Sequence, residues 1–242
     1  MTAQEQRVAL VVGGSGGIGR AVSQRLAQEG CTVIVASRSP PASSDHEAMV
    51  LDITDHGSCR TVANAIAARF GRLDYLLNCA SIAAGTGLSG PFAQTDPAQF
   101  AAASDGSITA TFNIVHAMTP LLAQKGGAIL LFASDAALYP SRNQAIVGPT
   151  RAAIVNFTRN YALEAAASGI RVNCISLSYV RDTPIFDQLV QAQSSRVSTA
   201  TARAGLGLPA ACDVAPLAAF LCSDDARHIT GQVVSINGGL SA

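Results

Sequence analysis

The sequence predicts an α/β fold, a doubly wound parallel sheet of about seven strands with helices on both faces. Three observations carry this expectation. Short apolar runs alternate with helical patterns along the whole chain. The runs are apolar on both faces, as strands covered on both sides must be. A glycine-rich turn joins the first run to the first helical pattern.

The elements follow in order. The strand "RVALVV" (7–12) precedes a helix over about 18–29, and "CTVIVAS" (31–37) and "AMVLDI" (48–53) come next. Only "RSPPASSDHE" separates these two strands, and Pro40 and Pro41 forbid a regular helix there, so a loop crossover is expected. A helix over about 57–70 leads to "LDYLLN" (73–78), and a long helical segment over about 97–123 leads to "GAILLFAS" (127–134). A helix over about 149–167 precedes "IRVNCIS" (170–176), and a helix near 213–222 precedes the last strand, "QVVSI" (232–236). Residues 178–212 form the longest irregular stretch, the expected substrate lid of a single domain spanning 1–242.

Composition narrows the function classes. The 242 residues are 49% hydrophobic, 13% charged and formally neutral, so no basic surplus points to nucleic acid. No apolar run approaches the length of a membrane span, and the first ten residues lack a signal-peptide pattern. A cytoplasmic protein is expected, with no nucleic-acid or membrane partner. The six cysteines are scattered without a CxxC pair, which favours reduced, mostly buried thiols over a metal site or disulfides.

The chemistry begins at "VVGGSGGIGR". Gly13, Gly17 and Gly19 follow the first strand and open the first helix. Glycine lets the backbone turn sharply and approach a pyrophosphate, to which a helix N-terminus offers N–H donors. Together with "LDITD", "LLNCA", "GAILLFAS", "GIRVNCIS" and "ITGQVVSINGG", in this order and spacing, the chain resembles the short-chain dehydrogenase/reductase family, 3-oxoacyl-carrier-protein reductases in particular. The resemblance covers nearly the whole chain and implies a Rossmann-type fold. It implies that Gly13, Ser15, Gly17, Ile18, Gly19, Ser37, Arg38, Asp52, Ile53, Asn78, Ala80, Arg151 and Thr183 border a nicotinamide dinucleotide, with Asp52 and Ile53 flanking the adenine. Ser81 stands where the family's NNAG or NCAG motif carries glycine. At the end of the second strand, Ser37-Arg38 replaces the acidic residue of NAD-dependent relatives. An arginine grips a 2′-phosphate that an aspartate would repel, so NADP(H) is favoured over NAD(H).

The family's chemistry, as the resemblance implies, uses an Asn, a Ser, a Tyr and a Lys. The Tyr transfers the proton, and the Lys lowers its pKa and holds the nicotinamide ribose. Here the serine is kept as Ser134, but Ser107 stands at the Asn position, Val147 at the Tyr position and Arg151 at the Lys position. The flanking "RAAIVNFTRNYALE" matches the family closely, and the longer spacing of enoyl reductases fails because residue 145 is Ala. The only lysine, Lys125, lies far from this motif. Pro149 is expected to push Gly148 out of the α region, leaving Val147 ahead of the helix.

Tyr139 and Tyr179 are the candidate replacement donors, each set against a plain pocket-lining role. Tyr75 and Tyr161 read as core or interface residues, and His116 as a packed or interfacial one. Two expectations follow: an oxidoreductase with an unusual proton source, or a cofactor-binding but catalytically silent subunit or sensor. Non-redox chemistry in the same pocket is a third. The resemblance also implies a homo-oligomer, a tetramer or dimer through the two long helices, or a hetero-oligomer with an active paralogue.

Overall fold

The computed structural model describes residues 6–39, 45–80 and 88–241. Its sheet has seven parallel strands: β1 (Val8–Val12), β2 (Thr32–Ser37), β3 (Glu47–Val50), β4 (Tyr75–Asn78), β5 (Gly127–Ser134), β6 (Ile170–Leu177) and β7 (Val233–Ile236). Their order is β3-β2-β1-β4-β5-β6-β7. The direction of winding reverses between β1 and β4, and a crevice opens at the carboxyl ends of strands at such a point.

β1 shows why the runs read as apolar on both faces. All five of its residues are buried. Val8, Leu10 and Val12 pack into one layer with Ile66 of α2 (His56–Phe70), Ile114 and Met118 of α4 (Ala110–Leu122) and Ile154 of α5 (Val147–Ala165). Ala9 and Val11 pack into the other with Val22 and Leu26 of α1 (Gly17–Gln28) and Val214 and Ala218 of α8 (Ala211–Cys222). Successive side chains of a strand point to opposite faces, so an inner strand of a covered sheet must be apolar at every position.

Three expectations need correction. The long helical segment is not uniform: α3 (Gln99–Ser104) passes into α4 through a π-helical turn at Asp105–Thr109. The stretch 178–212 is not irregular, because it contains α6 (Pro184–Gln191) and α7 (Ser195–Arg203). Thr183 begins α6 by accepting at Oγ1 from the Phe186 N–H over 3.4 Å, and Pro184 fills the first turn, where a missing N–H costs nothing. The ends of this flap are joined: Arg181 N donates to Pro209 O over 2.8 Å, and Ala211 N to Arg181 O over 3.1 Å.

The third correction concerns the start of α5. Val147 is its first residue, and Gly148 is helical, its N–H donating to Gln144 O over 2.7 Å. Proline disfavours a helical predecessor by clashing with that residue's N–H and Cβ, and glycine lacks the Cβ. Pro149 itself falls in the first turn, where the absent donor is tolerated. Gly148 has a second use. A Cβ there would stand 2.9 Å from Ala136 O, so only glycine lets α5 approach the turn that follows Ser134. Pro40, Pro41 and Ser81 lie outside the described residues.

Candidate active site and dinucleotide crevice

The glycine-rich loop folds back on itself. Gly13 takes φ +74°, and a Cβ on Gly19 would lie 2.2 Å from Gly13 O, so the loop closes only without side chains there. Gly17 abuts the backbone of Asp182 and Thr183, which brings the entrance of the flap against the start of α1. Among the described residues no side chain caps α1, so its first N–H groups remain available to an anion. Ser15 is exposed on this loop, and Thr183 is buried, its hydroxyl donating to Val180 O over 2.7 Å.

At the other end of the crevice, Ser37 closes β2 and donates through Oγ to Ser39 O over 2.8 Å. Arg38 is exposed beside it. The Thr54 hydroxyl and N–H hold the Asp52 carboxyl below the usual carboxylate range, and the Arg38 charge adds to this. Ile53 is buried next to Asp52. Asn78 ends β4, buried, with Nδ2 3.5 Å from Thr111 Oγ1, while its Oδ1 has no partner among the described residues. An open helix N-terminus, a loop that side chains would block and an orphaned carboxamide oxygen together fit a dinucleotide.

The reaction end is a cavity of about 970 Å³. It brings together Ile18, Ala80, Ser134, Tyr139, Val147, Arg151 and Tyr179. Ser134 closes β5, and its Oγ accepts from Ala136 N over 3.3 Å, which leaves its own proton free to donate. Val147 is half-buried, on the first turn of α5. Arg151, one turn on, is 9% exposed, and burial draws its guanidinium below the usual value. Tyr139 is 41% exposed, and Tyr179 is half-buried.

Ser107 is not on the cavity wall. It lies buried in the π-helical turn; its carbonyl accepts from Thr111 Oγ1 over 2.8 Å, and its hydroxyl has no partner among the described residues. Cys79 also lines the cavity, and desolvation pushes its thiol well above its ordinary pKa.

One residue of the site escaped the sequence reading. Asp135 follows Ser134 and is buried. Its Oδ1 accepts from Ser176 Oγ over 2.7 Å and Ser235 Oγ over 3.3 Å, and its Oδ2 from Asn237 Nδ2 over 2.6 Å. It thereby joins the carboxyl ends of β5, β6 and β7 directly behind Ser134. The only signal in the sequence was an aspartate directly after an apolar strand. The remaining aromatic and histidine readings resolve simply. Tyr75 is buried beside Arg7, Tyr161 bonds Thr119, and His116 Nδ1 lies 3.1 Å from His56 Nε2. All six cysteines are free thiols, with Cys59, Cys174 and Cys222 buried, Cys31 and Cys79 half-buried and Cys212 exposed.

A parallel sheet with its crevice at the reversal of strand order, a glycine loop there and a serine at the end of β5 define a dinucleotide-binding oxidoreductase of the Rossmann class. Residues 13–241 match the family model described as enoyl-(acyl carrier protein) reductase. The 3-oxoacyl-[acyl-carrier-protein] reductase FabG of Thermotoga maritima is 28% identical over 98% of both chains. A tropinone reductase homologue of Arabidopsis thaliana is 30% identical, covering 97% of this chain and 92% of its own. A short-chain dehydrogenase/reductase structure from Mycobacterium ulcerans superposes with a TM-score of 0.88 at 27% identity, over 99% of this chain and 91% of that one. A structure of ElxO with NADPH bound, a tyrosine-to-phenylalanine variant, gives a TM-score of 0.87 at 27% identity, over 97% and 98%. The chain belongs to the short-chain dehydrogenase/reductase family.

Proposed function

We propose that the protein is an NADP(H)-binding oxidoreductase acting on a C=O or CH–OH group with a proton source other than residue 147. The observation that carries this reading is the surroundings of Ser134: Val147 and Arg151 share its cavity, and so do the phenols of Tyr139 and Tyr179. The reductase names of the two relatives support carbonyl chemistry, and the NADPH-bound neighbour and Arg38 support the choice of cofactor.

A bound nicotinamide would supply the hydride. Ser134 orients the substrate oxygen by donating its free proton to it. Arg151 stays cationic at neutral pH, so it donates hydrogen bonds to ribose hydroxyls but does not release a proton. Val147 excludes water and transfers nothing. Loss of a positioned acid costs about 10²–10⁴ in rate, or roughly 3–5 kcal/mol of barrier. Unactivated ketones should therefore react slowly unless Tyr139 or Tyr179 supplies the proton. The test is to confirm NADPH binding, then measure turnover over a panel of carbonyl compounds with the wild type, Tyr139→Phe and Tyr179→Phe. Loss of turnover in one variant names the donor.

The second reading, a silent subunit or sensor, is favoured by the regular first turn of α5 at Val147. The backbone there carries a helix without the acid. NADPH binding with no turnover of any carbonyl would select it. In either case we infer a cytoplasmic homo-oligomer. Six free thiols fit a reducing compartment, and Phe112 on α4, 44% exposed and 4.9 Å from the Phe157 ring, gives the outer face of α4 and α5 an aromatic patch. Light scattering of the wild type and Phe112→Asp checks this; the variant should dissociate.

A further inference from the structure

Four arginines line the cavity around Ser134: Arg142, Arg151, Arg196 and Arg203. Among the described residues that line it, the one carboxylate, Asp135, has both oxygens engaged by Ser176, Ser235 and Asn237. The cavity therefore carries a clear excess of positive charge.

Arg151 belongs to the machinery already described. The other three do not: none sits on the glycine loop, at the end of β2 or at the Thr183 turn, the segments suited to the dinucleotide. Arg142 is exposed on a strapped loop, where Gly90 N donates to Asn143 O and Gln144 Nε2 to Ser89 Oγ, each over 3.1 Å. Arg196 and Arg203 stand on α7. With Thr199 and Ala200 they occupy positions i, i+3, i+4 and i+7, one face of the helix, and all four line the cavity. The rise between the two arginines is about 10 Å. A surface helix ordinarily turns an apolar stripe inward and its charges to water. On α7, two arginines flank the buried Ala200 on this face, Arg196 half-buried and Arg203 exposed, so both border the cavity where it opens to solvent. Arg203 donates to Leu240 O over 3.4 Å, and among the described residues none of the three makes an ion pair.

We propose that this site takes a small anionic carbonyl or hydroxyl compound, a phosphate ester or a carboxylate, whose anion is held by Arg142, Arg196 and Arg203. The reaction at its carbon rests on the oxidoreductase reading above; the anion site rests on the cavity itself. Guanidinium forks match carboxylate and phosphate oxygens, and an anion among them relieves their mutual repulsion. A neutral substrate leaves that repulsion in place.

Calorimetric titration of the full chain, with and without saturating NADPH, tests this with two matched pairs: dihydroxyacetone phosphate against dihydroxyacetone, and acetoacetate against methyl acetoacetate. The anion of at least one pair should bind about tenfold or more tightly than its neutral partner. The difference should shrink as salt rises. The pair that responds distinguishes phosphate from carboxylate. R196Q/R203Q should lose the preference with its circular dichroism and NADPH affinity unchanged, and R142Q should weaken it in part. The proposal is overturned by equal affinities within both pairs, by no binding of either anion at millimolar concentration, or by a preference that survives the triple change R142Q/R196Q/R203Q. A preference without NADPH binding keeps the anion site and removes the oxidoreductase reading. NADPH binding without a preference does the reverse.

Discussion

Asn237 donates through Nδ2 to Asp135 Oδ2 over 2.6 Å, joining residues 102 apart in the chain. The bond closes a buried network in which one carboxylate serves donors from two further strands. Asp135→Ala leaves several buried donors unpaired and should lower stability by about 3 kcal/mol. Ser235→Ala removes a single donor at 3.3 Å and should cost only about 0.5–1 kcal/mol. Urea unfolding of the two variants checks the contrast, and equal midpoints would show that the network adds little.

Arg38 is the residue on which cofactor choice is expected to turn. Replacing it with alanine should weaken NADPH binding by about tenfold or more, the worth of a charge-assisted hydrogen bond, and change NADH binding little. Fluorescence titration of both cofactors measures the ratio. A wild type that prefers NADH contradicts the assignment.

Val147 and Arg151 allow a gain-of-function experiment. Because Val147 already lies on the first turn of α5, Val147→Tyr places a phenol on a regular helix, with Arg151→Lys one turn on and Ser107→Asn in the π-helical turn. The triple variant should reduce simple ketones at least about tenfold faster than the wild type. No gain with intact NADPH binding would mean that the cavity wall, not the missing acid alone, prevents the reaction.

The buried thiols predict loss of stability in alkali. Burial raises Cys59, Cys174 and Cys222 from an ordinary value of 9.0 to about 12, and Tyr75 from 10.0 to about 12. Between the unfolded and folded values the native state holds more protons than the unfolded one, so stability falls as pH rises. Well below pH 9, near neutrality, these groups are protonated in both states and contribute no slope. Urea midpoints should therefore be insensitive to these groups near neutral pH, begin to fall at about pH 8 and drop steadily above it. A midpoint that holds level to pH 11 would contradict the burial of these thiols.

The sequence by itself determined the sheet, its glycine loop and the absence of a phenol and an ammonium at positions 147 and 151. These are local matters. An inner strand must be apolar at each step, a loop that approaches its own carbonyls must lack side chains, and residue type at a fixed spacing needs no coordinates. Tertiary structure decided the rest. Gly148 stays helical before Pro149, and its lack of a Cβ also leaves room for the Ala136 carbonyl, a close approach between segments that no local rule pairs. Asp135 gains its role from Ser176, Ser235 and Asn237, which the parallel crossovers bring beside β5 from far along the chain. The stretch that read as an irregular lid holds a helix with two arginines bordering the cavity, and only the packing of α7 sets which side of that helix lines it. Local backbone rules act over a few residues, whereas a cavity wall is assembled from distant segments, so its charge and its chemistry appear only once those segments are packed.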